Sequence, residues 1–322
     1  METKLIESES FKSFASRLQS EKLLRQSACK NVLSFGINFF DKLLGGILPT
    51  DLILIGAKTG AGKSELAVSI AKNVAKSGKN VHLFALEAED CEVERRIKFQ
   101  EIAKLYKAQS GVRDINFQDW YLGKYDFLLP FEEAAELELQ SYTNLFTFYR
   151  DSKFDLKKFQ RMFRSLDGKS DLVIIDHLHY FDFESDNENK EIAELMKAIK
   201  DMSQLQKVPV ILIAHLRKIA KFERALVPAI EDFHGSSNIS KIATRTIVMS
   251  PGGVEHGTQK SITYVQTSKN RLAGERTKVV AKMFFNPSLN AYDERFVLGV
   301  LSDDEKQFVA FSKEEPMPNW LR

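Results

Sequence analysis

Residues 52–64 read Leu52-Ile53-Leu54-Ile55-Gly56-Ala57-Lys58-Thr59-Gly60-Ala61-Gly62-Lys63-Ser64. The four aliphatic residues suit a short strand buried on both faces. The small residues that follow let backbone N–H groups close around a phosphate with no Cβ in the way. Leu66, Ile70 and Val74 then recur at helical spacing, so a helix opens near Lys63 and adds its positive dipole end. Strand, loop and helix in this order are the context in which G-x-x-x-x-G-K-[ST] cradles a nucleoside triphosphate. The candidate nucleotide contacts are Lys58, Thr59, Gly60, Ala61, Gly62, Lys63 and Ser64. Lys63 is expected on the β- and γ-phosphates of ATP, and the Ser64 hydroxyl on Mg²⁺. The strict pattern places its first glycine at position 57, where this chain has Ala57.

Outward from the loop, apolar runs at 52–55, 81–87, 145–150, 171–176 and 209–216 alternate with helical patterns at 63–77, 90–107, 131–141, 154–166 and 188–206. That alternation predicts an α/β fold with a mostly parallel sheet covered by helices. After residue 244 the runs TRTIVMS, SITYVQTSK, KVVAKMFF and ERFVLGVL crowd together and read as antiparallel strands added at the C-terminal side. Residues 1–30 form an arm in which Phe11, Phe14, Ala15 and Leu18 follow helical spacing; 31–322 is read as one ATPase domain.

Two acids end apolar runs. Asp176 follows Leu172-Val173-Ile174-Ile175, where an acid organises Mg²⁺ beside such a loop. Glu87 ends VHLFALE and is placed to polarise the water that attacks the γ-phosphate. Residue 177 is His rather than a second acid, so the base is expected from the neighbouring strand. Arg217, Lys218, Lys221 and Arg224 fall within eight residues, opposed only by Glu223, and could track a phosphate backbone.

Together these residues resemble the RecA-like ATPases, and within them the C-terminal helicase domain of replicative DnaB-type helicases. Phe35-Gly36-Ile37 through Leu43-Leu44-Gly45-Gly46-Ile47 resembles the lead-in shared by RecA, KaiC and DnaB relatives, and LFALE the strand that ends in the catalytic Glu. DLVIIDHLHYF resembles the DnaB segment with His179 in place of Gln, and PVILIAHLRK, with His215, resembles both DnaB and the phage primase-helicases. Asp232-Phe233-His234-Gly235-Ser236-Ser237 resembles the family's DNA-contacting loop, His234 standing for the usual Arg. Lys269-Asn270-Arg271 resembles the Lys-x-Arg finger that family members insert into a neighbour's ATP site. The resemblance covers about 31–287 and implies catalytic roles for Lys63, Glu87, Asp176, Lys269 and Arg271. It also implies nucleotide contacts from His179 and His215, and DNA contacts from His234, Gly235 and Ser236.

The resemblance implies a ring-forming, hexameric DNA helicase or translocase that acts on single-stranded DNA, with a primase or a helicase loader as further partners. The N-terminal primase-binding domain of the full-length relatives is expected to be absent. A RecA- or KaiC-like ATPase in recombination or regulation, or a nucleotide-switched DNA-binding adaptor, are the alternatives. Composition constrains less: 43% hydrophobic and 28% charged residues fit a globular chain, and a net charge of +2 leaves any nucleic-acid surface to a local patch. Cys29 and Cys91 make no disulfide framework, which fits a reducing, cytoplasmic setting. METKLIESESFKSF lacks the apolar core of a signal peptide, and no run of 18 apolar residues is present, so no membrane partner is expected.

Overall fold

The Leu52–Ile55 run is the centre of the structure, a computed structural model that describes residues 21–22, 25–26, 29–58, 60–109, 113–183, 187–216, 225–233, 237–274, 278–313 and 316–319. The run lies in β1 (Leu52–Ala57), buried along its whole length. Its residues alternate between two cores, which is why it is continuously apolar. Ile53 and Ile55 face α1 (Asn38–Leu44) and α2 (Lys63–Lys76), with Phe35, Phe40, Leu66 and Ile70. Leu52 and Leu54 face α6 (Leu156–Ser165) and α7 (Glu188–Gln206), with Phe159, Phe163, Leu195 and Ile199.

The strands β2 (Val81–Ala85), β3 (Leu145–Tyr149), β4 (Leu172–Asp176), β5 (Val210–His215) and β6 (Arg245–Val254) join β1 in a parallel array. β7 (Ser261–Asn270), β8 (Val280–Asn286), β9 (Ala291–Leu301) and β10 (Phe308–Ala310) continue it antiparallel. The ten-stranded order is β10-β9-β8-β7-β6-β1-β5-β4-β2-β3. One sequence expectation is corrected here. TRTIVMS begins β6, which pairs parallel with β1 from Ile53↔Arg245 to Ala57↔Met249. The chain enters β6 from α8 (Ser237–Ile242), so it starts at the amino ends of the parallel strands; reversal begins only at β7.

A satellite core fills the space between α3 (Glu92–Gln109), α4 (Phe117–Tyr121) and α5 (Leu129–Leu139), with Phe99, Ile102, Tyr106 and Leu128 buried. Asn116 opens α4 by accepting the Asp119 N–H, and Asp155 opens α6 by accepting the Lys158 N–H. No helix of the described residues is long and apolar enough to cross a membrane. The segment Phe11–Leu18 lies outside the described residues.

Candidate functional site

The glycine-rich loop leaves the carboxyl end of β1, between β5 and β6, where open α/β sheets bind ligands. Gly62 precedes the first residue of α2 with φ 77° and ψ 27°, a left-handed conformation that disfavours a side chain. A Cβ there would also lie 2.4 Å from the Tyr292 hydroxyl. That hydroxyl, from β9, donates toward the carbonyls of Ala61 (3.1 Å) and Gly62 (3.3 Å) and pins the back of the loop. Ala57, the departure from the strict pattern, is fully buried at the end of β1, opposite His215 and Met249. Its methyl packs in the core, so the position tolerates alanine. Lys58 Nζ lies 3.5 Å from Ser250 Oγ; Thr59 is outside the described residues.

β2 and β4 are neighbours, with Ala85 opposite Asp176. The N–H groups of Leu86 and Glu87 both donate to the Asp176 carbonyl, which carries the chain past the end of β2 and sets Glu87 beside the loop. Glu87 Oε2 lies 3.9 Å from Lys63 Nζ. Asp176 is buried at 7% exposure. Burial raises its pKa to about 6; a hydrogen bond from Ser64 and the charge of Lys63 oppose the shift, and the charge of Glu87 adds to it. Its Oδ1 has no hydrogen-bond partner among the described residues. A buried, unpartnered carboxylate oxygen beside a serine hydroxyl and a cradle of N–H groups suits a magnesium–nucleotide complex in donor chemistry.

Three histidines stand behind these groups. His215 ends β5, and His177 and His179 follow β4. The rings of His177 and His215 are 3.8 Å apart, and those of His177 and His179 are 5.1 Å apart. Burial holds the pKa of His177 down at about 2, with His215, His179 and Lys63 adding to the effect, so its imidazole stays neutral.

Lys269 and Arg271 are elsewhere. Lys269 pairs with Thr246, itself level with Leu54, and the Arg271 N–H donates to Thr244, below the start of β1. Arg271 is thus some five residues below the glycine-rich loop, roughly 17 Å along the strand direction. Lys269 Nζ donates to the carbonyls of Lys241 (3.0 Å) and Ala243 (2.7 Å) near the end of α8, and Arg271 is exposed. The structure therefore brings together Lys63, Ser64, Glu87, Asp176, His179 and His215, and keeps Lys269 and Arg271 at the other end of the strands.

Arg217, Lys218, Lys221, Arg224, His234, Gly235 and Ser236 lie outside the described residues. Leu216 and Phe233, the residues just before 217–224 and 234–236, form an antiparallel bridge with each other. A Cβ on Gly56 would come within 2.3 Å of Phe233 and 2.8 Å of Leu216.

Three features of the site were not expected from sequence. His177 stood next to Asp176 in plain view, but its burial could not be seen. Tyr292 reaches the loop from 230 residues away. Arg96 on α3 pairs with Glu65, one residue after Ser64, and with Glu92, tying α3 to α2. A buried Glu–Arg pair has no spacing rule in sequence.

Comparison with known proteins agrees with this geometry. Residues 33–294 match the family described as DnaB-like helicase C terminal domain. The chain is 27% identical over 220 residues to the replicative DNA helicase DnaB of Pasteurella multocida (strain Pm70), covering 66% of this chain and 44% of that one. It is 26% identical over 217 residues to the DnaB of Geobacillus stearothermophilus, covering 65% and 44%. It thus spans less than half the length of these relatives. In fold it is similar to a chain from the structure of a DnaB-like replicative helicase and its interactions with primase, with TM-score 0.70, 19% identity, and coverage of 89% of this chain and 67% of that one. The strand–loop–helix, the acid pair across β2 and β4 and the match over 33–294 lead to one conclusion: this chain belongs to the DnaB-like helicase C-terminal domain family.

Proposed function

We propose that the chain is the motor of a ring-forming, ATP-dependent DNA helicase or translocase, which hydrolyses ATP at subunit interfaces and moves on single-stranded DNA. One observation carries this reading. Lys63, Ser64, Asp176 and Glu87 converge at the carboxyl ends of the strands, while Lys269 and the exposed Arg271 lie at the other end. A phosphoryl-transfer site is assisted by fixed cations, and an Arg supplied in trans is worth on the order of 10³–10⁵ in rate. On this reading a neighbouring subunit brings Lys269 and Arg271 to the γ-phosphate, Lys63 binds the phosphates, Ser64 and Asp176 hold Mg²⁺, and Glu87 polarises water. His179 and His215 report the γ-phosphate to the segment after β5. Arg217, Lys218, Lys221, Arg224 and His234–Ser236 would follow the DNA backbone.

Residues 1–30 would then serve as a linker arm and 31–322 as the motor domain, working in the cytoplasm with a primase or loader. The test is strand displacement from a forked duplex. The chain should unwind it with Mg–ATP and fail with Lys63→Ala. ATP turnover indifferent to single-stranded DNA, with no displacement at any protein concentration, would rule the reading out.

A further inference from the structure

Arg96, on α3, joins two parts of the site through an unbroken chain of polar contacts. Its Nη1 donates to Glu65 Oε1, one residue after Ser64 in the first turn of α2. Its Nε, at 3.1 Å, and its Nη2 both donate to Glu92 Oε1. The other oxygen of Glu92 accepts the Glu89 N–H at 3.0 Å, and the Glu92 N–H donates back to the Glu89 carbonyl at 3.0 Å. Glu89 is two residues beyond Glu87. The turn that carries Glu87 is therefore held at both ends. Its entry is held by the Asp176 carbonyl of β4, and its exit, through Arg96, by the helix that bears Lys63 and Ser64.

This bridge differs from a surface ion pair. Glu65 is buried, and Arg96 is mostly so. Burial raises the Glu65 pKa, and the charge of Arg96 is the largest influence opposing the rise. One guanidinium also serves two carboxylates, which its rigid fork can contact at once. The charge of Glu92 already acts on Glu65. Without Arg96 between them the two acids would repel, driving the turn, and Glu87 with it, away from α2. Further along, Lys72 and Lys76 hold α2 to α3 through Glu101, at 3.5 and 3.2 Å. Loss of Arg96 thus loosens the first turn and leaves the helices packed. Arg95 also reaches the turn, on the Asp90 carbonyl at 2.9 Å, but that contact makes no tie to α2.

We propose that Arg96 is a positioning residue for hydrolysis: it sets the distance from Glu87 to the glycine-rich loop by tying the 87–92 turn to the first turn of α2. Its effect on hydrolysis rests on the proposed role of Glu87 in polarising water; the tie itself does not. A displacement of about 1 Å at a reacting group can cost about 10²-fold in rate.

The test uses the full chain with Mg–ATP under single-turnover conditions. Arg96→Gln should slow hydrolysis about 10–100-fold and leave ATP affinity within about threefold. In a Glu87→Gln background the same substitution should slow hydrolysis no further, because Arg96 acts through Glu87. Glu65→Met removes the other end of the bridge without leaving a buried charge, so it should act in the same direction and serves where Arg96→Gln does not fold. A second readout needs no hydrolysis. Cys91 is exposed and lies in the turn, between Glu87 and Glu92. A nitroxide on Cys91, in a chain whose Cys29 is replaced by serine, should move more freely in Arg96→Gln than in the parent, without nucleotide.

Unchanged hydrolysis in folded Arg96→Gln and Glu65→Met chains overturns the proposal. So does a loss that multiplies with that of Glu87→Gln, a loss of ATP affinity as large as the loss of rate, or a label equally restrained in parent and variant. A parent chain that hydrolyses no ATP, or a Glu87→Gln chain as fast as the parent, contradicts the proposed function, and the label still passes or fails the tie. A slow Glu87→Gln chain beside an unchanged Arg96→Gln chain contradicts the positioning alone.

Discussion

The two ends of β1 and its neighbours handle buried charge in opposite ways. At the amino ends, Asp51 and Arg245 are buried at 4% and 2% exposure. They lie 3.4 Å apart, and the remaining polar capacity is used. Asp51 accepts from the Thr244 hydroxyl at 2.8 Å and from the Leu48 N–H at 2.9 Å, and Arg245 donates to the Gly46 carbonyl. At the carboxyl ends, Asp176 and His177 are just as buried, but Asp176 Oδ1 and His177 Nε2 have no partner among the described residues. Lys63 sits 3.9 Å from Glu87, beyond hydrogen-bonding distance. The first arrangement is complete and serves the fold. The second is incomplete until something binds, which is how a site for a highly charged ligand differs from a structural ion pair.

The largest effect that sharpens this contrast is kinetic. Glu87→Gln should keep ATP affinity within a fewfold and slow single-turnover hydrolysis by about 10²–10⁴-fold, because the amide is nearly isosteric and a poor base. Lost nucleotide binding with normal turnover per bound ATP would make Glu87 part of the scaffold instead. At the other end, Arg245→Ala should leave Asp51 buried without its cation and cost about 3–5 kcal/mol in urea unfolding. A loss under about 1 kcal/mol would mean that the two ends do not differ as described.

The smallest effect has the opposite sign. The Asp176 pKa is raised from 3.8 to about 6, so the folded state binds this proton more tightly than the unfolded chain does. Stability from this group is fully present below about pH 4 and is lost as pH rises through about 6. Asp176→Asn should therefore stabilise the chain at pH 7 by about 1–3 kcal/mol, with the gain shrinking toward pH 4, while Mg²⁺-dependent hydrolysis is lost. A variant less stable than the parent at pH 7 would show that the carboxylate is held favourably after all.

How much of this could be read in the sequence follows from where each constraint acts. The strand–loop–helix at 52–76 was legible because its requirements are local: a buried strand, glycines in left-handed conformations and a helix N-terminus. Asp176 and Glu87 were legible because each ends an apolar run, and parallel strands align their ends. β6 was misread as antiparallel because alternation in a strand carries no direction; only the preceding crossover sets it. β10 was missed because three residues show no period. His177 and Tyr292 were missed because their roles come from pairing across β4–β5 and from β9 folding back over α2.

The measurement that tests the account most directly is reconstitution from two defective chains. Lys63→Ala lacks the lysine proposed to bind the phosphates and Arg271→Ala lacks the exposed cation at the far end of the strands; each alone should hydrolyse ATP at close to background. In mixed assemblies some interfaces pair an intact loop with an intact Arg271. If the site is completed by a neighbour, mixing should restore a substantial part of the parent activity, with a maximum at intermediate ratios. Full activity of Arg271→Ala by itself, or no recovery in assemblies shown to contain both chains, would contradict a site shared between subunits.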